Sequence, residues 1–204
     1  MSLANYTALG AAVTSWMDIT ATDLTNQIAD VITLAESRIF RESRTRDTET
    51  ALGTAIAAGV IAVPSDYIAL KDAYIQTNPI QQLERRSAEF VLTKYPQRSG
   101  DGIPKVIARR GNSFIFGPYA DSGYTVNAIY YKRLSPLSGA NNHALFANNP
   151  DLYLFGCLAE SEIIIGRDKR IPVWESKYQR ILMDVNGLDA AEGVSGSTPR
   201  MRVM

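Results

Sequence analysis

Near the start of the chain, apolar residues recur every three or four positions with polar residues between them. This period is typical of amphipathic helices and predicts two of them, the first from about Tyr6 to Met17 and the second ending near Arg44. The segment from Asp18 to Thr22 ends the first helix and offers N-cap residues for the second, so we expect an antiparallel hairpin. The two apolar stripes consist of Tyr6, Leu9, Val13, Trp16 and Met17, and then of Leu24, Ile28, Val31, Ile32, Ala35 and Ile39.

Helical spacing returns in the last third of the chain. Asn149 followed by Pro150 is a favourable helix start, because proline fits the first helical position. We expect this helix to end at the run from Ile163 to Gly166, and a final helix to open at Pro172 and stop at Gly187. The apolar positions are Leu152, Phe155, Leu158, Ala159 and Ile163 in the first of these helices, and Val173, Trp174, Tyr178, Ile181, Leu182 and Val185 in the second.

Between these helical parts, the pattern changes to β-branched and aromatic residues separated by glycine and proline. Ile68 to Gln76 and Tyr124 to Arg133 are predicted as strands, and Gly111-Asn112 as the turn of a tight hairpin. The stretch from Ala51 to Ala62 has small side chains and is interrupted by glycine. We therefore expect a loop or a weakly helical connector there.

Together these elements predict an α+β fold that is mainly α. Residues 1–50 and 148–187 are expected to form an antiparallel bundle of about four main helices. Residues 51–147 are expected to form a β-rich insert with one small antiparallel sheet, and residues 188–204 an extended C-terminal arm. A chain of 204 residues is long enough to bury one good core, or one core plus a small appendage.

Positive and negative charges balance in this sequence. Lysine plus arginine and aspartate plus glutamate number 21 each, so the formal net charge is zero. A protein that grips nucleic acid needs several unbalanced cations to displace counterions from the phosphates. The composition therefore argues against a DNA-binding role, although not against a place beside DNA.

Residues that could carry chemistry are few. The single cysteine, Cys157, lies in an apolar helical run, and the single histidine, His143, lies in a predicted loop; one of each cannot build a structural zinc site without carboxylates. The sequence has no apolar run approaching the ~20 residues that span a bilayer, and its N-terminus lacks the features of a signal peptide. We expect no catalytic residue, no metal, no cofactor and no membrane partner, and a soluble protein made in a reducing cytoplasm.

Several short segments follow one another in a distinctive order along residues 3 to 185. The first ones are the predicted helix with Tyr6, Leu9, Val13 and Trp16, the segment Ala35 to Ile39, and the residues Arg41, Arg44, Arg46 and Glu49. They are followed by the short segments Val63 to Tyr67, Gly102 to Pro104, Phe116 to Pro118, Tyr130-Tyr131 and Leu134 to Leu137, and by the predicted helix Asn149 to Glu160. As an ordered set, they resemble the head-to-tail adaptor (connector or neck) proteins of tailed bacteriophages.

The resemblance implies a structural protein with no enzymatic activity, located in the virion neck and made in the cytoplasm of the bacterial host. It implies a homo-oligomeric ring, typically a dodecamer, that docks on the portal protein and connects it to a downstream tail or nozzle protein. DNA would pass through the ring without specific binding. Two alternatives stay open: another phage assembly component, such as a tail-completion or packaging-associated factor, and a small enzyme, although the sequence contains no phosphate loop or catalytic signature.

Basic and acidic residues alternate where the second helix is predicted to end, and Arg38 and Glu42 are expected to face each other one helical turn apart. A heterologous ring contact needs complementary charges on opposite sides of one subunit, which makes these residues candidates for a subunit interface. Glu36 and Glu160 lie beside apolar faces, and each is expected to meet an arginine, within the bundle or from a neighbouring subunit, because an unpaired buried charge is costly. Two alternatives stay open: a solvent-exposed helix end with local ion pairs, or a phosphate-binding site. The predicted interface comprises Arg38, Arg41, Arg44, Arg46, Glu49, Glu36 and Glu160.

The C-terminal segment has too few large apolar residues to offset the entropy of its own ordering, about 1–2 kcal/mol per residue. Its last residues alternate between basic and apolar side chains, a pattern that suits an extended peptide added to a partner. We therefore predict a portal-binding arm that becomes ordered on assembly; disordered filler is the alternative. The residues of this arm are Pro199, Arg200, Met201, Arg202, Val203 and Met204.

Overall fold

The computed structural model describes residues 3–18, 24–99, 102–161 and 169–194. The chain divides into two compact units. The helical unit combines Met1–Thr48 with Leu134–Met204, and the β unit is the continuous segment Glu49–Arg133.

Six helices are present in the described part of the chain. They are α1 (Tyr6–Met17), α2 (Leu24–Glu42), α3 (Ala88–Lys94), α4 (Ala144–Asn148), α5 (Pro150–Glu160) and α6 (Ile171–Val194), with a short 3-10 turn at Arg46–Thr48. All except α3 belong to the helical unit. The side chain of Asn5 caps α1 by accepting a hydrogen bond from the amide of Ala8 at 2.9 Å.

The centre of the helical unit is α5, which packs against α1, α2, α4 and α6. Between the charged residues Asp151 and Glu160 near its ends, apolar residues lie on all sides of the helix, which is the pattern of a helix enclosed by others rather than one lying on a surface. The side chains of Leu152, Tyr153, Cys157 and Leu158 are completely buried. Gly156 allows close approach, because a Cβ atom there would lie 3.4 Å from the ring of Tyr178.

The β unit contains eight strands in two four-stranded sheets. The strands are β1 (Glu49–Ala55), β2 (Val60–Ala62), β3 (Tyr67–Ile75), β4 (Gln81–Gln82), β5 (Glu84–Arg85), β6 (Val106–Arg110), β7 (Ser113–Gly117) and β8 (Thr125–Lys132). One sheet has the order β1-β8-β3-β4 and the other β2-β7-β6-β5. All neighbouring strands are antiparallel except β5 and β6, which are parallel.

Alternation along β8 determines which face of its sheet is buried. Val126, Ala128 and Tyr130 are buried in the main core of the β unit, whereas Ile129 between them is exposed. The phenol of Tyr130 donates a hydrogen bond to the carboxylate of Asp66 at 3.0 Å. Burial, followed by this bond, raises the pKa of Tyr130 to about 12.

The predicted fold class is wrong in its proportions. The protein is an α+β structure in which the β part forms eight strands in two sheets, not a mainly α bundle carrying one small inserted sheet. The predicted connector from Ala51 to Ala62 lies largely in β1 and β2. Small residues and glycine have low strand propensity, but pairing of β1 with β8 along its whole length overrides that preference.

The final helix also differs from its prediction. It does not stop at Gly187 but continues through it to Val194, since a single glycine inside a helix costs only about 1 kcal/mol. The predicted end of α5 at residues 163–166 lies outside the described residues. The predicted start at Pro150, the strand after Tyr124 and the hairpin turn at Gly111-Asn112 are confirmed.

Candidate interaction site

An ion cluster centred on Arg38 joins three helices of the helical unit. The guanidinium of this α2 residue lies 3.1 Å from the carboxylate of Glu160 at the end of α5. It donates to Glu175 of α6 through two nitrogens, one of them at 2.8 Å, and to Glu42 one helical turn away at 3.3 Å. Because only 17% of the Arg38 side chain is exposed, these charges are partly shielded from solvent.

Aromatic stacking completes this cluster. The Arg38 guanidinium lies over the ring of Tyr178, 4.5 Å from its centroid, and the phenol of Tyr178 donates to Glu42 at 2.8 Å. Hydrogen bonding to Glu175 raises the pKa of Arg38 above its ordinary value. The bond to Arg38 lowers the pKa of Glu175 below its ordinary value of 4.5. Each charge therefore stabilises the charged form of its partner, and the cluster links α2, α5 and α6 by ion pairs and hydrogen bonds.

Arg44 turns back onto its own chain. Its guanidinium donates to the carbonyl oxygens of Phe40 at 3.2 Å and Ser43 at 2.6 Å, and its backbone amide donates to the side chain of Asn186 at 2.9 Å. A cation that binds the last carbonyls of a helix also complements the helix dipole. Arg44 thus closes the C-terminal end of α2.

Arg41 and Arg46 lie beside Arg44 in the sequence, and both are exposed. Within the part of the chain that the structure describes, Arg41 has no side-chain hydrogen bond or ion pair. Of the four arginines in the predicted interface, these two present their side chains to solvent.

Glu36 is buried at the other side of α2, and none of its contacts among the described residues is with an arginine. Its carboxylate accepts a hydrogen bond from the amide of Leu137 at 3.0 Å and lies 3.5 Å from Nε2 of His143. Nδ1 of His143 accepts from the amide of Phe146 at 3.3 Å, which leaves Nε2 as the ring nitrogen that faces Glu36 and, at 3.4 Å, the phenol oxygen of Tyr153. Glu36 therefore links α2 to the segment that contains Leu137 and His143.

Glu49 belongs to the β unit, where it begins β1. Its carboxylate forms an ion pair with the ammonium group of Lys71 in β3. The predicted interface residues are thus distributed over several surroundings. The structure brings Arg38 and Glu160 together, and it places Glu36 and Glu49 in separate networks.

Sequence reasoning missed three members of these networks. Glu175 and Tyr178 lie four and seven residues into α6, and their i, i+3 spacing on one helical face was the available signal. His143 was read as part of a loop, although it caps α4. The expected pairing of Arg38 with Glu42 is confirmed, as is the pairing of Glu160 with an arginine. Among the described residues of one subunit, Glu36 contacts a backbone amide and His143 instead of an arginine, so an arginine from a neighbouring subunit stays a prediction.

The predicted arm, Pro199 to Met204, lies outside the described residues, and its role stays a prediction. Among the described residues, no group of three or more His, Cys, Asp or Glu side chains is arranged to hold a metal ion. The same part of the chain contains no helix that is both long enough and apolar enough to cross a membrane.

Several charged side chains of the helical unit thus bind one another or the end of α2. The family model described as SU10 adaptor protein matches residues 4–202. The chain therefore belongs to the SU10 adaptor protein family, a family of phage head-to-tail adaptors. No curated protein matches the chain.

Proposed function

We propose that this protein is the structural head-to-tail adaptor of a tailed phage. Copies of the chain form a ring, with twelve as the expected number, which docks on the portal protein and connects it to a tail or nozzle protein. DNA passes through the channel of the ring without being bound specifically. The family match over residues 4–202 is the observation that carries this proposal.

The helical unit suits a load-bearing part of such a ring. Its central helix α5 is enclosed by its neighbours, and the Arg38 cluster ties α2, α5 and α6 together through side chains that are 100 or more positions apart in sequence. Partly shielded, mutually satisfied charges fix the relative positions of helices. A subunit that keeps its shape under load is what a connector requires.

We propose that the exposed end of α2 forms part of the contact between neighbouring copies in the ring. Arg41 is exposed there, whereas Arg38 and Arg44 already have partners within the subunit. Arg46, just beyond the end of the helix, is exposed as well. A heterologous contact needs the opposite charge on another surface of the same subunit. Asp184 on α6 is an exposed carboxylate of the helical unit, and we propose that it supplies this charge.

The absence of catalytic duty belongs to the same proposal. A family of structural adaptors implies a protein that works by binding in the virion rather than by chemistry. On this view the chain is made in the host cytoplasm and then incorporated into the neck.

Electron cryomicroscopy of purified virions tests the proposal directly. We expect density for this chain as a ring directly below the portal, with the helical unit and the β unit both visible. A phage in which a nonsense codon silences this gene should accumulate DNA-filled heads without tails. Chain found only in assembly intermediates and missing from finished virions would instead identify a packaging or completion factor.

A further inference from the structure

Four strand edges bound the two sheets of the β unit, and one of them differs from the rest. The edges are β1 and β4 in one sheet and β2 and β5 in the other. β4 and β5 have two residues each and β2 has three, whereas β1 has seven. Short or charged edge strands are how proteins avoid unwanted pairing. β1 is long, and from Thr50 to Ala55 it contains no charged residue and no proline.

The hydrogen bonds of the sheet show which backbone groups of β1 face outwards. The amide of Ile56 donates to the carbonyl of Tyr124, and the amide of Gln76 on the other side donates to Thr125. Successive residues of a strand direct their backbone groups to opposite edges. Even-numbered residues of β1 therefore bond to β8, and the N–H and C=O groups of Ala51, Gly53 and Ala55 point away from the sheet.

These three residues are all exposed, and their small side chains lie on the solvent face of the sheet. In the register of the sheet, Ala51 is opposite Ile129 and Gly53 is opposite Asn127. Ile129 is 39% exposed. A strand added beside β1 would lie ~4.8 Å from it, and Ala51 leaves room for a long side chain of that strand to reach across to Ile129.

From this geometry we infer that the free edge of β1 accepts an added β-strand from a partner head or tail protein. The strand carries large apolar side chains at alternate positions on the face of Ile129. Main-chain hydrogen bonds provide the attachment, and the space over Ala51 and Gly53 provides the selectivity. This inference rests on the adaptor role proposed above.

A second copy of the chain fits the edge poorly. If β1 paired with β1 of another copy, it would bring only Ala, Gly and Ala to this face, which leaves Ile129 uncovered. The remaining free edges among the described strands have two or three residues, too few to match seven. A strand with large apolar side chains would cover Ile129, whereas pairing between two copies of β1 would not, and this favours a different protein as the occupant.

Amide hydrogen exchange of the full-length chain, free and in necks isolated from virions, tests this inference. In the free protein, the outward amides of Ala51, Gly53 and Ala55 should exchange rapidly, while those bonded to β8 are protected. In the neck, the peptide spanning residues 49–56 should gain protection at three amides, by roughly 100-fold or more. Unchanged exchange in a neck that contains the chain would overturn the inference and leave the adaptor role intact.

Two variants with a matched control test the same edge. The Ala51→Pro variant removes an outward amide without removing a bond to β8, as proline is tolerated on the open side of an edge strand, and it should lose at least 10-fold in incorporation into virions. The Ala51→Lys variant keeps the amide but places a charged side chain on the edge strand, which disfavours pairing with another strand, so its incorporation into virions should fall too. The Ala51→Ser variant, with the amide retained and a small side chain, should incorporate normally.

Other outcomes are equally decisive. Wild-type incorporation of both the proline and the lysine variants, at unchanged melting temperature, would contradict strand addition. Protection that appears when the purified chain is concentrated without any partner would assign the edge to a second copy. Absence of the chain from virions would overturn the adaptor role and this inference together.

Discussion

Arg38 is the residue on which three helices of the helical unit converge. One guanidinium serves Glu42, Glu160 and Glu175, so the cluster holds more negative than positive charge. Removing the cation would leave three carboxylates facing one another in a partly shielded place. Arg41, three residues further along α2, is exposed and provides a comparison at the same helix.

We therefore expect Arg38→Gln to lower the free energy of unfolding of the helical unit by about 2–3 kcal/mol, the usual loss for hydrogen bonds to charged groups. Arg41→Gln should change it by less than about 0.5 kcal/mol. Both tryptophans, Trp16 and Trp174, belong to the helical unit, so tryptophan fluorescence in urea reports its unfolding. Equal effects of the two substitutions would show that the cluster contributes little to stability.

The same cluster predicts how stability depends on pH. The pKa of Glu175 is lower in the folded protein than its ordinary value of 4.5. A carboxyl with a depressed folded-state pKa binds fewer protons when folded, so added protons favour unfolding. The stabilisation is complete above pH 4.5 and is lost as the pH falls from there through the folded-state pKa. Urea midpoints measured across this range should fall more steeply for the wild type than for Arg38→Gln.

The helix α5 is enclosed by its neighbours, so there is little space around its one glycine, Gly156. At Gly156 a Cβ atom would meet Tyr178 at 3.4 Å and Ile39 at 3.5 Å, which is ordinary van der Waals contact. One methyl group fits at this position, but branching at Cβ would force α2 or α6 to move. Leu34 on the exposed side of α2 shows the opposite case, since substitutions there meet solvent.

Replacement of Gly156 should therefore have effects of opposite sign. Gly156→Ala is expected to stabilise the helical unit by up to about 1 kcal/mol, because alanine favours helix more than glycine. Gly156→Val is expected to destabilise it by about 1–3 kcal/mol through overpacking. Urea unfolding followed by tryptophan fluorescence measures both. Destabilisation by alanine as large as that by valine would mean that α5 cannot shift even by a few tenths of an ångström.

The sequence predicted helices well and edge strands poorly, for a physical reason. In α1, apolar spacing identified Leu9, Val13 and Met17, all of which are buried. β1 has no such signal, because Ala51, Gly53 and Ala55 are exposed and small, and its strand conformation is dictated by β8 rather than by its own residues. Long-range pairing of this kind leaves little trace in local sequence.

The candidate site was predictable to a similar extent. The alternating charges of α2 indicated Arg38 and Glu42, which pair one helical turn apart. The third helix of the cluster was not predictable, because Glu175 meets Arg38 only after the chain has folded across 137 positions. Glu36 was expected beside an arginine, but within one subunit a backbone amide and His143 contact it instead.

A ring of identical subunits multiplies the effect of any change at the contact between copies. Arg41→Glu reverses an exposed charge at the end of α2, and we expect the subunit to remain folded, with a change below about 0.5 kcal/mol. Ring formation should weaken by about tenfold, because like charges across a contact are repulsive. Native mass spectrometry of the assembled ring measures this. The matched control is Arg110→Glu, which makes the same charge change at the end of β6. Normal ring formation by the Arg41 variant would contradict the proposed contact and show that the end of α2 faces solvent in the ring.

A DNA channel should not hold the DNA that passes through it. We therefore expect the inner surface of the ring to be neutral or acidic, with Arg41 and Arg46 engaged between subunits. A cryomicroscopy map in which these two arginines line the bore without acidic partners would contradict this expectation and restore a DNA-gripping role.

Deletion of residues 199–204 tests the predicted arm. Weak contacts that repeat around a ring give firm attachment through avidity, so the truncated chain should load onto portal protein with lower occupancy. Its melting temperature should remain that of the full chain, because the deleted residues contribute few large apolar side chains. Sedimentation with purified portal rings measures the occupancy, and full loading would show that other surfaces perform the docking.

The burial of Cys157 in α5 makes the labelling rate of its thiol a measure of how often the helical unit opens. It is the single cysteine of the chain, and burial raises the pKa of its thiol above its ordinary value. A thiol reagent needs both access and thiolate, so labelling proceeds only in the moments when the helical unit opens. Mass spectrometry of labelled protein over hours would then measure the opening rate of that unit alone, in the free subunit and in the proposed ring, without any engineered probe.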